Sequence, residues 1–263
     1  MPSLKDLRNR ISSVKSTKKI TSAMKMVAAA KLKRAQENAE RSRPYAEKMK
    51  EVVSSLIGKV NNKNFKFGHK AENSKNVLLI ICTSDRGLCG GFNGSITKYT
   101  KNLIKNLDKD GKKISFIFVG KKGYQSLKKT SNGSVIDLIS DFANPTIKFE
   151  IAGTIRDKLL DLFFKNEISE CFLIYTKFKS AISQTVNSQI LLPVSNDTSS
   201  SEERINLIYD YEPSEDEILD NIIPKNIAIQ IHSALLENLA SEQGSRMTAM
   251  DNATRNANDM IDN

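Results

Sequence analysis

The sequence predicts an α/β protein in which two long terminal helices form an antiparallel coiled coil beside a central α/β domain. Apolar residues recur at spacings of three and four at both ends of the chain, which is typical of helices with one buried face. Between these ends, short runs rich in β-branched residues alternate with helical patterns, which favours a largely parallel sheet. We therefore divide the chain into an N-terminal helix over 1–58, a central domain over 75–210 and a C-terminal helix over 214–263.

The N-terminal helix is predicted to be unusually long. Its apolar stripe consists of Leu4, Leu7, Ile11 and Val14, followed one step out of phase by Ile20, Met24 and Val27. Pro44 is expected to kink or divide this helix, because proline removes a backbone hydrogen bond. Fifty-odd helical residues span about 80 Å. A helix of that length needs a partner helix or a surrounding cavity.

The C-terminal helix supplies that partner. We expect a kink at Pro224, near the start of this helix. Its stripe consists of Leu236, Leu239, Gln243, Met247, Met250, Thr254, Ala257 and Ile261. Two long helices with narrow seams at opposite ends of one chain indicate an antiparallel coiled coil. The polar and small residues in the seam predict slender packing.

The middle of the chain is predicted to form a Rossmann-like domain. Strands are predicted over 77–83, 114–120, 134–140 and 171–178, with helices over 94–111, 121–129 and 147–166. The segment 182–194 alternates in part and is typical of an edge strand or hairpin. A polar linker over 59–75 enters the domain, and a polar loop over 195–204 follows it.

Charge is unevenly distributed. The net charge is +10, and the first 50 residues account for it, since their only acidic residues are Asp6, Glu37, Glu40 and Glu47. A strongly basic segment implies an anionic partner, whether nucleic acid, lipid head groups or an acidic protein surface. The sequence has no run of about 18 apolar residues, so we predict no membrane span.

Cysteine and histidine are too few for most catalytic or metal sites. The chain has three cysteines, with no CxxC pair, and two histidines. A disulfide framework or a zinc site is therefore not expected. We predict no catalytic, cofactor-binding or metal-binding residue.

The glycine-rich stretch 83-TSDRGLCGGFNGSI-96 resembles a phosphate-binding turn at first sight. It lacks the lysine that the GxxxxGK[ST] pattern requires, and its glycines do not have the GxGxxG spacing. Cys89 as a nucleophile would need a nearby base, which neither His69 nor His232 is placed to supply. We interpret the stretch as a tight strand-to-helix turn, with Cys89 as a small buried residue.

Four stretches resemble the gamma subunit of F-type ATP synthases, particularly the alphaproteobacterial form. They are 1–36, the loop 84-SDRGLCGGFN-93, 209-YDYEPS-214 and 237-ENLASEQGSRMTAMDNAT-254, in order along the chain. The resemblance implies a central rotor shaft that turns inside a ring of alpha and beta subunits and holds no catalytic nucleotide site. It also implies contacts with epsilon (or its mitochondrial equivalent) and the membrane c-ring, at the bacterial inner membrane or its mitochondrial counterpart. No nucleic acid, and no membrane contact except through the c-ring, is expected.

The resemblance also implies which residues contact partners. They are Lys18, Lys19, Met24 and Lys25 on the first helix, Asp85, Arg86 and Cys89 in the loop, and Glu242, Gln243 and Arg246 on the last helix. In one respect the chain departs from the family, whose members continue for several helical turns beyond a segment like 251–263. A truncation, an incomplete gene prediction and a short shaft would each account for this difference.

Two alternatives remain from the residues alone. The first is a basic coiled-coil adaptor that binds nucleic acid through residues 1–50, although that segment lacks interleaved aromatic residues for base stacking. The second is a small α/β enzyme that uses Cys89.

Overall fold

The computed structural model describes residues 4–57, 66–68, 75–130, 133–143, 146–194 and 215–262. It contains two long helices, three shorter helices and a five-stranded sheet over these residues. The helices are α1 (Leu4–Ile57), α2 (Phe92–Lys109), α3 (Lys121–Leu127), α4 (Phe149–Phe164) and α5 (Glu215–Asp262). The strands are β1 (Asn76–Cys82), β2 (Lys113–Val119), β3 (Ser134–Ile139), β4 (Glu170–Phe178) and β5 (Gln184–Leu192). The predicted fold class is confirmed. The predicted loop 195–204 and most of the linker 59–75 lie outside the described residues.

The sheet has the strand order β3-β2-β1-β4-β5. The first four strands are parallel, and β5 pairs antiparallel with β4 as the edge strand that the partial alternation of 182–194 predicted. β1 is central, and six of its seven residues are buried, because helices cover both of its faces. The chain order reverses between β1 and β4. In open α/β sheets this switch point is where a crevice forms at the carboxyl ends of the strands.

Alternate residues of β1 point into two apolar layers. One layer packs under α2 and α3, and it includes Val77, Leu79, Phe116, Ile96 and Leu127. The other packs under α4, α5 and the last turns of α1, and it includes Leu78, Ile80, Ile155, Ile227 and Leu56. The C-terminal helix is therefore part of the core of the domain as well as of the coiled coil.

The two long helices pair antiparallel. Thr21 Oγ1 and Thr254 Oγ1 share a hydrogen bond of 2.8 Å, and Lys25 Nζ lies 2.6 Å from Asp251 Oδ1. Further along, Arg43 Nη2 donates to Glu237 Oε1 at 2.9 Å. α1 has 54 residues and therefore spans about 80 Å. Both helices run through their internal prolines, so Pro44 does not divide α1.

The seam on α1 is not the one that its apolar pattern predicted. Ile20 and Val27, predicted to face α5, are 60% and 56% exposed, and Leu4, Leu7 and Ile11 are exposed as well. Between residues 4 and 40 of α1, the buried residues are instead Thr21, Ala28, Leu32, Ala35 and Ala39. Small residues allow the two helices to approach closely, so the larger β-branched side chains are turned outward. The α5 stripe is better predicted, since Leu236, Gln243, Met250 and Ala257 are buried.

Gly120, which follows β2, occupies a position that only glycine fits. Its φ is +102°, and a Cβ there would lie 2.3 Å from the carbonyl oxygen of Thr83. Thr83 in turn accepts a hydrogen bond from the Gly123 N–H at 2.9 Å through its hydroxyl. The turn after β2 is therefore pressed against the start of the glycine-rich loop.

We predict that Gly120→Ala lowers the free energy of unfolding by at least about 3 kcal/mol, because strain and a backbone clash combine. Gly94→Ala is the matched control, since a Cβ there meets no atom within 4 Å and the residue lies inside α2. The control should be neutral or stabilising by up to about 1 kcal/mol. Urea denaturation of the full chain measures both values. Equal stability of the two variants would contradict the prediction.

Candidate partner-contact surface

The loop 83–91 is a tight turn held from inside by one amide side chain. Asn93 Nδ2 donates to Ser84 Oγ at 2.7 Å and to Cys89 Sγ at 3.2 Å, while Asn93 Oδ1 accepts from the Ser84 N–H at 3.1 Å. Cys89 is 2% exposed, as the interpretation of a small buried cysteine predicted. Its side chain therefore stabilises the turn and offers almost no surface to a partner or a substrate.

Asp85 joins the loops that follow three neighbouring strands. Its Oδ1 accepts from the Lys121 N–H at 3.1 Å, after β2, and its Oδ2 accepts from the Asp141 N–H at 2.8 Å, after β3. A carboxylate that accepts two backbone N–H groups is a strong anchor, because charge-assisted hydrogen bonds exceed neutral ones in strength. Asp85 thus organises the carboxyl edge of the sheet from within the domain.

Arg246 fastens the loop to α5. Its Nη2 donates to the carbonyl oxygens of Arg86 at 3.4 Å and Gly87 at 3.2 Å, and its Nη1 lies 2.7 Å from Glu242 Oε1. Both ionic side chains are about one-tenth exposed. Gly90 supports the same contact, since its φ is +56° and a Cβ there would lie 3.6 Å from the Ala249 side chain. The loop is therefore docked on the last helix.

The Glu242 carboxyl is held in a desolvated position. Burial raises its pKa, and the neighbouring Arg246 guanidinium opposes that rise. Glu242 and Arg246 therefore stabilise the fold only while both side chains are present. Removing the arginine would leave an uncompensated carboxylate in the interior.

The residues predicted to contact partners fall into two groups by position. Asp85, Arg86, Cys89, Glu242 and Arg246 meet in one cluster, where the loop lies on α5. Lys18, Lys19, Met24 and Lys25 lie on α1, near the Lys25–Asp251 pair. Exposure separates them further. Lys18, Lys19 and Arg86 are exposed, whereas Glu242, Gln243 and Cys89 are buried.

Sequence reasoning missed an outward apolar stripe on α1. Ile20, Ala23, Val27 and Ala30 are all exposed and recur at spacings of three and four, so they share one helix face. The signal that could have found them is the phase break after Val14, together with the small residues Thr21, Ala28 and Ala35 at a spacing of seven. Basic residues border the stripe at Lys19, Lys31 and Arg34. We call the four residues the outer stripe.

Leu88 is another exposed apolar residue that the sequence analysis did not single out. It lies at the tip of the loop with a φ of +62° and is 64% exposed. A leucine with positive φ is strained, and the surrounding hydrogen bonds of Ser84 and Asn93 hold it there. The loop therefore presents one apolar side chain and the neighbouring Arg86 to the outside.

A small depression lies beside these residues. The depression between the start of α2, the strands β4 and β5, and Ser245 has a volume of about 150 Å³, which is below the roughly 300 Å³ at which small-molecule sites begin. Over the described part of the chain, no three His, Cys, Asp or Glu residues form a group that could hold a metal ion. Over the same residues, no helix combines the length and the apolar character needed to cross a membrane.

Comparison with known proteins places this architecture. Residues 3–263 match the family described as ATP synthase. The gamma chain of the Pelagibacter ubique ATP synthase is 47% identical over 100% of this chain and 90% of its own length. That of Rhodospirillum rubrum is 46% identical over 99% of this chain and 90% of its own length.

Solved structures agree with these relatives. The central stalk and c-ring structure of the Tetrahymena thermophila mitochondrial ATP synthase contains a chain that is 30% identical, with a TM-score of 0.67, over 89% of this chain and 99% of that one. The rotor of the Euglena gracilis mitochondrial ATP synthase shares the fold with a TM-score of 0.69 at 17% identity, over 97% and 92% of the two chains.

The family match over residues 3–263, together with the long helix pair and the Rossmann-like domain, identifies this chain as a subunit of an ATP synthase. Within that class, this chain belongs to the ATP synthase gamma-chain family. Nothing in these comparisons supports the nucleic-acid alternative, and the burial of Cys89 argues against the enzyme alternative.

We predict that Arg246→Met destabilises the chain by about 3–5 kcal/mol, because it leaves the Glu242 carboxylate buried and unpaired. The double variant Glu242→Gln/Arg246→Met should recover at least about 2 kcal/mol, since no buried charge remains. Urea denaturation gives the three free energies of unfolding. Additive losses in the double variant would show that the two side chains are not a coupled pair.

The loss in Arg246→Met should depend on pH. The folded-state pKa of Glu242 is raised and the arginine that lowers it is gone, so the folded protein binds a proton more tightly than the unfolded chain. Stability is therefore lost as pH rises through that folded pKa and is regained on acidification. We expect a smaller defect at about pH 5 than at about pH 7.5. A defect that is constant over this range would contradict the assignment to Glu242.

Proposed function

We propose that this chain is the central rotor shaft of a proton-translocating F-type ATP synthase. Residues 1–58 and 214–263 form the shaft, and residues 75–210 form the domain at its base. The shaft couples rotation of the membrane ring to conformational change in the catalytic subunits, and it carries no catalytic site of its own. The observation that carries this proposal is the pairing of two long helices, of which α1 is about 80 Å long and strongly basic.

The exposed surface of the helix pair suits transient contacts. The outer stripe offers small and medium apolar side chains, and the bordering lysines and arginines attract acidic partners over a distance. The outer stripe has no side chain larger than isoleucine, so it does not fill a deep pocket and does not favour one rotational position strongly. The surface therefore guides neighbouring subunits without locking to one of them.

The exposed residues of the predicted set are the best candidates for partner contact. We assign direct contact to Lys18, Lys19 and Arg86, with Met24 and Lys25 at the edge of the helix seam, and we add the outer stripe and Leu88. Asp85, Cys89, Glu242, Gln243 and Arg246 act indirectly, because they hold the loop and α5 in the shape that the partner meets.

The partners follow from the family. We propose contacts with the alpha and beta subunits around the helix pair, and with epsilon, or its mitochondrial equivalent, and the c-ring at the base. The complex is proposed to lie at the bacterial inner membrane, with this subunit peripheral on the cytoplasmic side. The alternative is the matrix side of the mitochondrial inner membrane. The alphaproteobacterial relatives favour the bacterial location.

The contacts between the shaft and the catalytic subunits change as the shaft rotates. Each catalytic subunit meets a different part of the asymmetric helix pair as the shaft turns. A contact that favours one conformation of that subunit over another shifts its population by the difference in interaction free energy. Rotation thereby forces the subunits through their states in sequence.

Reconstitution with alpha and beta subunits tests the proposal. We expect the wild-type chain to stimulate ATP hydrolysis by the ring and to rotate within it. Lys18→Glu/Lys19→Glu should lower this stimulation about fivefold at low ionic strength, since each exposed charge contributes up to about 1 kcal/mol. Added salt should reduce the difference, because exposed charges are screened.

The matched control is Lys101→Glu/Lys105→Glu, which makes the same charge change on the exposed face of α2, away from the helix pair. It should leave stimulation unchanged. Equal losses in both double variants would mean that only net charge matters. Rapid ATP hydrolysis by the isolated chain would overturn the proposed non-catalytic role.

A further inference from the structure

The helix α5 occupies the crevice in which open α/β sheets usually bind their ligands. β1 and β4 meet at the switch point of strand order, and their carboxyl ends are followed by the loop 83–91 and the β4–β5 turn. Arg246 of α5 contacts the loop, and Thr248 Oγ1 donates to the Ala181 carbonyl oxygen of the turn at 3.2 Å. A segment of the chain itself therefore takes the place of a ligand.

Side chains of α5 bind the backbone of β4 where its partner strand has ended. The pairing of β4 with β1 stops at Ile174. Two residues later, the Thr176 N–H donates to Asn238 Oδ1 at 3.1 Å, and the Thr176 carbonyl oxygen accepts from Ser241 Oγ at 3.1 Å. The helix α5 thus satisfies the backbone N–H and C=O groups of Thr176, a buried residue of β4.

Glu237 extends this contact to the other long helix. Its Oε2 accepts from the Phe178 N–H at 3.0 Å, and its Oε1 accepts from Arg43 Nη2 at 2.9 Å. One carboxylate therefore joins β4, α5 and α1. Glu237, Asn238 and Ser241 are 7%, 1% and 0% exposed, so these hydrogen bonds lie in a dry environment where they are strong and costly to break.

Directional bonds give this contact a property that apolar packing lacks. The apolar contacts of α5 on the sheet are non-directional, so a small rotation of the helix exchanges one set for another. Hydrogen bonds to backbone groups weaken steeply when their angle changes. A row of three polar residues at helical spacing, bound to two alternate residues of a strand, therefore fixes the rotational position of the helix on the domain.

We propose that Glu237, Asn238 and Ser241 form the torsional joint through which torque passes between the α/β domain and the helix pair. The joint rests on the proposed rotor function and assigns a positioning role to three residues outside the predicted contact set. Without it, the domain turns relative to the helix pair under load, and proton movement is no longer coupled to catalysis.

The test uses the complete membrane-bound complex with Asn238→Leu/Ser241→Ala, which removes both bonds to Thr176 and keeps much of the buried volume. We expect ATP hydrolysis to be retained and proton-driven ATP synthesis and ATP-driven proton pumping to be lost. A bead attached through Lys109→Cys, on the exposed end of α2, should show larger angular fluctuations in the variant. The three native cysteines are buried, so they do not compete for the label.

Ile96→Val/Ile104→Val is the control, because it weakens the layer under α2 without touching α5. It should lower thermal stability yet leave coupling and angular fluctuations at wild-type values. If the control uncouples the complex as strongly as the joint variant, the three residues are merely structural and the proposal is wrong. It is equally wrong if the joint variant assembles and remains fully coupled.

A second measurement covers the case in which the double variant does not fold. In the isolated full chain, the amide exchange rate of Thr176 is measured relative to that of Phe118, which lies in β2. Ser241→Ala should leave this rate near its wild-type value, because Ser241 donates to the Thr176 carbonyl oxygen and does not bind the Thr176 N–H. Asn238→Ser should raise it about tenfold, the equivalent of one net hydrogen bond. Unchanged exchange of the Thr176 amide in Asn238→Ser would overturn the joint, because Asn238 Oδ1 is the acceptor of that N–H. Failure of the wild-type chain to rotate in the ring would instead contradict the proposed function itself.

Discussion

The burial of α5 against both the sheet and α1 is the constraint on which the rest of the structure depends. Its first half covers one apolar face of the sheet through Leu219, Ile223, Ile227 and Leu235. Its second half pairs with α1 through alanines, Thr254 and Asp251. Because one continuous helix does both, the domain and the helix pair share a common element and do not need a separate linker interface.

Different interactions stabilise the two halves of α5. Around the sheet, stability comes from apolar area removed from water, which is large and non-directional. Along α1, the seam is narrow, and close approach of small residues with a few cross-helix polar contacts replaces bulky packing. That choice leaves Ile20 and Val27 on the outer surface of the basic helix α1.

The glycine-rich loop shows which features the local sequence pattern predicts and which it does not. Its prediction as a strand-to-helix turn is confirmed, since β1 ends at Cys82 and α2 begins at Phe92. The role of Asp85 could not be predicted, because its partners are backbone N–H groups of Lys121 and Asp141, which carry no side-chain signature. The same holds for Asn238 and Ser241, whose partners are the backbone of Thr176.

The sequence by itself determined the helices, the strands, their order along the chain and the family, because these follow from local periodicity and from motifs. Only the tertiary structure decided which face of α1 is buried. Apolar spacing shows that a helix has a preferred face, but the partner decides which face is covered. Here α5 accepts Ala28 and Ala35 at close range and excludes Ile20 and Val27, so the phase predicted from the larger residues was wrong.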